Sequence, residues 1–133
     1  KSLAHRPTAQ FRMGAAEAMY RSCRSWLMET MEAVEDELRE GAEFPGAKTT
    51  QDARLACVHA SNECMKVVDL LHNTAGTTGM RMYSPLERKL RDAHAAATHR
   101  WVAHPLYQDL GSILLGNEPD PEFAGGNGAP TAK

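Results

Sequence analysis

Residues 84–104 read SPLERKLRDAHAAATHRWVAH, and the spacing within them predicts a helix. Ser84 suits an N-cap, Pro85 the first helical position, and Glu87 the closing partner of a capping box. Pro105 ends the run, because its nitrogen carries no hydrogen and its ring collides with the preceding turn. At 100° per residue Leu86, Leu90, Ala93, Ala97 and Trp101 share one face, which is expected to be buried. Nearly opposite lie Arg88, Asp92, Ala95, Ala96 and His99. Ionisable groups alternate there with alanines, which hold nothing away, so a flat ligand or another backbone could approach closely. The pattern alone favours a plainer reading, a solvated face with alanine as helix filler.

Around that stretch the chain is short. Its 133 residues suffice for one domain with a modest core. It opens at Lys1 without a methionine or a signal-peptide pattern, and reads as a processed product or a piece of something longer. A net charge of −2 gives no electrostatic footprint for nucleic acid or an anionic membrane. No uncharged apolar run approaches the roughly 18 residues a spanning helix needs. Aromatics are sparse at 6% while Ala and Met are plentiful, which favours helices over sheets. The cysteines are Cys23, Cys57 and Cys64. An odd count without a secretory signal fits a reducing compartment, so a cytoplasmic location is expected. Cys57 and Cys64 share a helix face but lack C-x-x-C spacing, and read as small buried hydrophobes.

Upstream, Pro7 opens a long helical segment, with Thr8 as its candidate cap. Ala16, Tyr20, Cys23, Leu27, Met31, Val34 and Leu38 recur at steps of three and four and form an apolar stripe. Gly41 stops it, and the acidic run from Glu29 to Glu40 is expected on the wet side. A second helix is predicted from Thr49 as cap, with Asp52 three residues on. Cys57, Ala60, Cys64, Val68, Leu71 and Ala75 make its inner stripe, broadened by Val58, Val67 and Leu70. Gly76 ends it, and the loop from Gly76 to Tyr83 leads into the Ser84 helix. Beyond Pro105 a short helix carries Leu106, Leu110, Ile113 and Leu114 on one face and closes at Gly116. The expected fold is all-α, an up-down bundle of three long helices plus a short C-terminal one over residues 1–116, with a flexible tail at 117–133. The longest helix wants a further partner.

Motifs of chemistry are few. His94, His99 and His104 step by five residues, which turns successive side chains about 140° apart, so no metal site is expected. The sequence has no G-x-S-x-G, Walker loop or G-x-G-x-x-G. The Gly-Thr-Thr-Gly run at 76–79 offers backbone N–H groups and hydroxyls near a helix start, a weak anion-site signal. By pattern alone the chain is a helical bundle of unstated role.

Residues 75–119 nevertheless resemble the end of the C-terminal helical domain of the acyl-CoA dehydrogenase superfamily, in the branch of flavin-dependent monooxygenases and hydroxylases. The likeness is carried by Ala75-Gly76-Thr77, Ser84-Pro85-Leu86, Arg91-Asp92, His94, His99 and Leu114-Leu115-Gly116. Weaker, Ala-rich similarity extends upstream through both earlier helices. The resemblance implies a piece of a larger flavoprotein in which FAD or FMN lies between this bundle and a middle β-domain. It further implies self-association as a dimer or tetramer, a small-molecule substrate and a flavin reductase as partner. Carried over by position, Thr77 and Thr78 would touch the flavin nucleotide, and His99 and Arg100 would lie near its ring system. His99 would be catalytic, donating a hydrogen bond to charge that develops in a dry cleft. On that reading the Asp92–Ala95–Ala96–His99 stripe is a ligand face rather than a wet one.

Two departures bear on this. The dehydrogenase branch carries a catalytic Glu in a Tyr-Glu-Gly context, which this sequence lacks, so oxygenation is expected ahead of acyl-CoA dehydrogenation. The loop has Gly-Thr-Thr-Gly where relatives often carry paired glycines or serines. The readings that compete are a dehydrogenase-type domain and a non-catalytic helical interaction module. Since a nucleotide needs donors from several walls, the chain alone should be inactive and bind FAD weakly or not at all. A sub-micromolar dissociation constant for FAD in titration of the isolated chain would mean the site is misplaced.

Overall fold

The described residues form four α-helices and two short 3-10 turns. The computed structural model describes residues 2–78, 81 and 83–119, Thr78 through its backbone alone. The tail from 120 onward, and Gly79, Met80 and Met82 of the loop, lie outside the described residues. The first long helix, α1 (Pro7–Arg39), has Pro7 at its first position with Arg6 in the extended conformation before it. Thr8 is therefore inside the helix rather than its cap. Gly41 follows the last turn at φ +98°, a conformation that a side chain would resist, so the chain leaves the helix there.

The second long helix, α2 (Ala47–Ala75), begins two residues before Thr49, with Gly46 as its N-cap. Thr49 is taken up elsewhere. Its hydroxyl donates to Glu37 of α1, whose other carboxylate oxygen accepts from the Gly46 N–H at 2.6 Å. Glu37 thus stands in for the missing cap side chain, satisfying an otherwise orphaned donor at the start of α2. This carboxylate belongs to the acidic run expected to be solvated, so that reading holds for its neighbours and not for Glu37.

The third helix, α3 (Pro85–Ala97), has Ser84 as cap, its hydroxyl accepting from the Leu86 N–H at 3.3 Å. Glu87 closes no capping box and pairs instead with Arg91 at 2.9 Å. The helix stops seven residues short of the predicted His104, so two of the helices among the described residues are long, not three. The last helix is α4 (Leu106–Leu114). Among the described residues there is no strand, and no helix is long and apolar enough to cross a membrane.

Helix α2 is the element the others share. It packs against α1, α3 and α4, while α1 and α3 have no interface with each other among the described residues. The helical period explains why. Ala53, Ala56, Ala60 and Cys64 fall on one side of α2, and Val58, Asn62 and Asp69 nearly opposite, about 175° away around it. The first side meets α1 antiparallel: Cys64 Sγ lies 4.0 Å from Cys23 Sγ, and the Arg12 guanidinium donates to the Asn73 carbonyl at 3.2 Å. The second side meets α3 and the segment after it. The chain is a row of helices with α2 in the middle, and not a closed three-helix bundle.

The core is correspondingly thin. Its buried apolar residues are mostly alanines, with Cys23, Val58 and Leu110 the larger members. Small side chains let α1 and α2 approach closely, but each contributes only about 0.8 kcal/mol per buried carbon. Meanwhile Phe11 is 76% exposed, Tyr83 78% and Leu115 84%. Of the face predicted to be buried on α3, Ala97 is buried and Leu90 and Ala93 are half-buried, whereas Leu86 and Trp101 are exposed.

The Thr49 hydroxyl, then the Gly46 N–H, hold the Glu37 carboxyl below its ordinary value of 4.5. Folding therefore favours the ionised form. That contribution is fully present above the ordinary carboxylate range and is lost as pH falls through it. Glu37→Gln should lower the melting temperature at neutral pH and narrow the gap to wild type between about pH 5 and 3. Thermal melts across that range check it.

Candidate functional site

The segment joining α3 to α4 is where the chain's chemistry collects. Helix α3 ends because Thr98 turns its hydroxyl back onto the Ala95 carbonyl at 2.7 Å. Its N–H bonds the same region three residues back, and the His99 N–H bonds the Ala96 carbonyl at 3.1 Å. Tightening to 3-10 bonds closes the helix and frees the chain to turn. His99 to Val102 then form a four-residue turn, in which the Val102 N–H donates to the His99 carbonyl at 2.9 Å.

Within that turn the His99 ring is tied to its own backbone. Nδ1 accepts from the Trp101 N–H at 3.4 Å. An accepting Nδ1 places the neutral ring's hydrogen on Nε2. His99 is exposed, and Nε2 is the donor of that tautomer. Ala95 and Ala96, both exposed, precede it on α3. Asp92, at the other end of this stripe, is also exposed and lies 3.6 Å from Arg88. Arg100 is exposed, its guanidinium 5.1 Å from the centre of the Trp101 ring, and Arg54 of α2 reaches within 6.0 Å of the same ring.

The turn is fastened to α2 from beneath. The Asn62 amide, 5% exposed, donates to the Val102 carbonyl at 3.3 Å and to the Val58 carbonyl of its own helix at 2.8 Å. At the start of α4, the Tyr107 hydroxyl lies 3.1 Å from His59 Nδ1, and the His59 ring centre 5.5 Å from that of Trp26 on α1. Burial, reinforced by the Glu63 carboxylate, pushes the Tyr107 phenol up, which keeps it protonated and able to donate. His104 packs edge-on against Tyr107 at 5.3 Å.

The other predicted contacts lie elsewhere. Thr77 is exposed in the 3-10 turn Gly76–Thr78, which follows α2 directly. Gly76 there has φ +60° and ψ −144°, a conformation open essentially to glycine alone. Thr77 sits near the start of α3 and His99 beyond its end, so about 18–20 Å of helix separates them. A single ring system cannot touch both within this chain. The Thr78 side chain lies outside the description. Beside Thr77's end, a groove of about 670 Å³ lined by Leu3, Ala9, Met13 and Thr74 runs between the start of α1 and the end of α2.

The three spaced histidines diverge as their spacing requires. His94 Nε2 donates to the Asp69 carboxylate at 2.7 Å, across the α2–α3 seam. His99 turns to the Trp101 backbone, and His104 to Tyr107. Among the described residues no group of three or more His, Cys, Asp or Glu is placed to hold a metal. Asn62, Asp69, His59 and Tyr107 were missed by the sequence reading. A weak signal existed for two of them, since Val58, Asn62 and Asp69 recur at steps of four and seven on one side of α2.

The family model described as "Acyl-CoA dehydrogenase, C-terminal domain" matches residues 1–104. Similar proteins include the "Indole-3-acetate monooxygenase" of Acinetobacter baumannii, 31% identical over 121 residues, covering 91% of this chain and 31% of that protein. The protein of the same name from Pseudomonas putida is 31% identical over 122 residues, covering 92% and 31%. The "Pigment production hydroxylase" of Rhodococcus erythropolis is 29% identical over 93 residues, covering 70% and 23%. The chain spans less than a third of the length of these relatives.

Because His94 serves the α2–α3 seam and not the exposed turn, His94→Ala should cost about 0.5–1 kcal/mol of stability, discounted for its half-exposed setting. It should leave His99 and its turn undisturbed. Denaturant titration, with amide exchange over residues 98–105, checks both.

Proposed function

Since the chain belongs to the acyl-CoA dehydrogenase C-terminal-domain family, we propose that it is the C-terminal helical domain of a flavin-dependent monooxygenase. In this reading it lends one wall to a flavin site and one face to an oligomer. The observation that carries the reading is exposed His99, whose Nδ1 accepts from the Trp101 N–H and leaves Nε2 as the donor, preceded by two exposed alanines. A hydrogen-bond donor beside a surface with no projecting side chains suits a flat, electron-rich ring.

The donor set fits FAD or FMN. Exposed Thr77 and the Gly76 backbone suit the nucleotide end, and His99 with the Arg100 guanidinium suits the ring end. Their separation along α3 calls for an extended cofactor or for contributions from two subunits. A bound reduced flavin supplies the electrons that activate dioxygen. The part of this chain is to orient the ring, exclude water and present the Nε2 hydrogen to charge that develops on oxygen.

Partners follow from the same surface. Exposed Phe11, Met13, Tyr83 and Leu115 are apolar area that other domains or subunits would cover. A flavin reductase would supply the reduced cofactor. Two relatives are named for an indole carboxylate, so a small aromatic acid is the substrate class this reading carries over.

In the full-length protein His99→Ala should lower product formation while leaving the fold intact. One lost hydrogen bond to a charged species is worth roughly 1.5–4 kcal/mol, or about tenfold to a thousandfold in rate. Reduced flavin should then waste oxygen as hydrogen peroxide. The assay is product per reduced flavin consumed, with His94→Ala alongside. Wild-type coupling in His99→Ala, or greater damage from His94→Ala, would refute the proposed face.

A further inference from the structure

We infer that Asn62 is a positioning residue for His99, acting through the backbone of Val102. The inference rests on the proposal that His99 faces the reacting centre. Asn62 and Thr30 are the buried polar side chains among the described residues. Thr30 spends its hydroxyl within its own helix, on the Leu27 carbonyl. Asn62 does not. One of its amide hydrogens serves the Val58 carbonyl four residues back, and the other crosses to Val102, forty residues on.

A buried amide is costly unless both hydrogens find acceptors. Val58, four residues earlier on the same side of α2, is apolar, and an aliphatic side chain would fill the position of Asn62 without that cost. What the amide adds is a fixed distance between α2 and the turn. Val102 also donates to the His99 carbonyl at 2.9 Å, so Asn62, Val102 and His99 form one chain of hydrogen bonds. The other hydrogen bonds that shape the turn are local to it, the Trp101 N–H on His99 Nδ1 and Thr98 on Ala95, while Arg54 of α2 reaches the Trp101 ring. Local bonds set the form of the turn; the Asn62 amide ties its backbone to α2. Losing that anchor would let residues 99–102 shift as a unit, moving the Nε2 donor and loosening the bond that selects its tautomer.

The test uses Asn62→Ser in the full-length, flavin-loaded protein. A serine hydroxyl can still bond the Val58 carbonyl within the helix, but cannot reach Val102. Amide exchange over residues 98–106 should quicken while α1 and α2 stay protected. Product per reduced flavin should fall roughly two- to tenfold, the equivalent of one net hydrogen bond, with flavin affinity and substrate KM unchanged. In a His99→Ala background the same substitution should change coupling no further. Asn62→Leu, which keeps the volume and drops both donors, is the second variant if the serine protein folds poorly. An equal fall in coupling in the His99→Ala background would overturn the inference, because Asn62 would then act independently of His99. So would unchanged exchange over 98–106. If His99→Ala uncouples the protein and Asn62→Ser does not, the inference fails alone. If His99→Ala keeps wild-type coupling, the monooxygenase reading fails and takes the inference with it.

Discussion

The arrangement depends on α2 being covered from two sides at once. A helix with one apolar stripe needs one neighbour; α2 has two contact sides, about 175° apart, and each is built differently. The α1 side is alanine and cysteine, which lets two long helices lie close with little side-chain volume between them. The α3 side carries Asn62 and Asp69, which reach across as hydrogen-bonding groups. Consequently α1 and α3 do not meet among the described residues. The site lies on the polar side, where a few specific bonds, and not bulk packing, decide where the chain goes.

Much of this was legible beforehand. The stripes of α1 and α2 extend over many turns, and at that length periodicity identifies a helix and its inner face. Gly41, Gly76 and Gly116 ended helices as expected, because each takes a positive φ that other residues avoid. Local signals failed where a distant partner outbid them. Thr49 looks like a cap, yet its hydroxyl goes to Glu37, twelve residues earlier, and the helix starts sooner. The breadth of α2's apolar pattern was visible in Val58, Val67 and Leu70, but breadth alone does not distinguish one wide face from two narrow ones.

The end of α3 is the instructive failure. Nothing between Ala97 and His104 forbids a helix except Pro105, so the pattern runs on. The chain stops at Ala97 because Thr98 captures the Ala95 carbonyl and Asn62 holds the Val102 carbonyl. One is a local choice that threonine can make either way; the other is tertiary. On a continuing helix His99 would be one more residue in a stripe. In a turn its Nδ1 meets the Trp101 N–H, which leaves Nε2 as the ring's donor. The residue singled out by resemblance thus lies in a turn and not on a helix.

The separation of Thr77 from His99 along α3 is the geometric demand this account makes on the whole protein. One ligand must span that helix, or two copies of the chain must share the cofactor. A structure of the full-length protein with flavin bound is the direct test. The account predicts the ring system against Ala95 and Ala96, with His99 Nε2 within about 3.5 Å of the flavin or of substrate beside it. A flavin bound elsewhere, with His99 facing bulk solvent in the assembled protein, would contradict it.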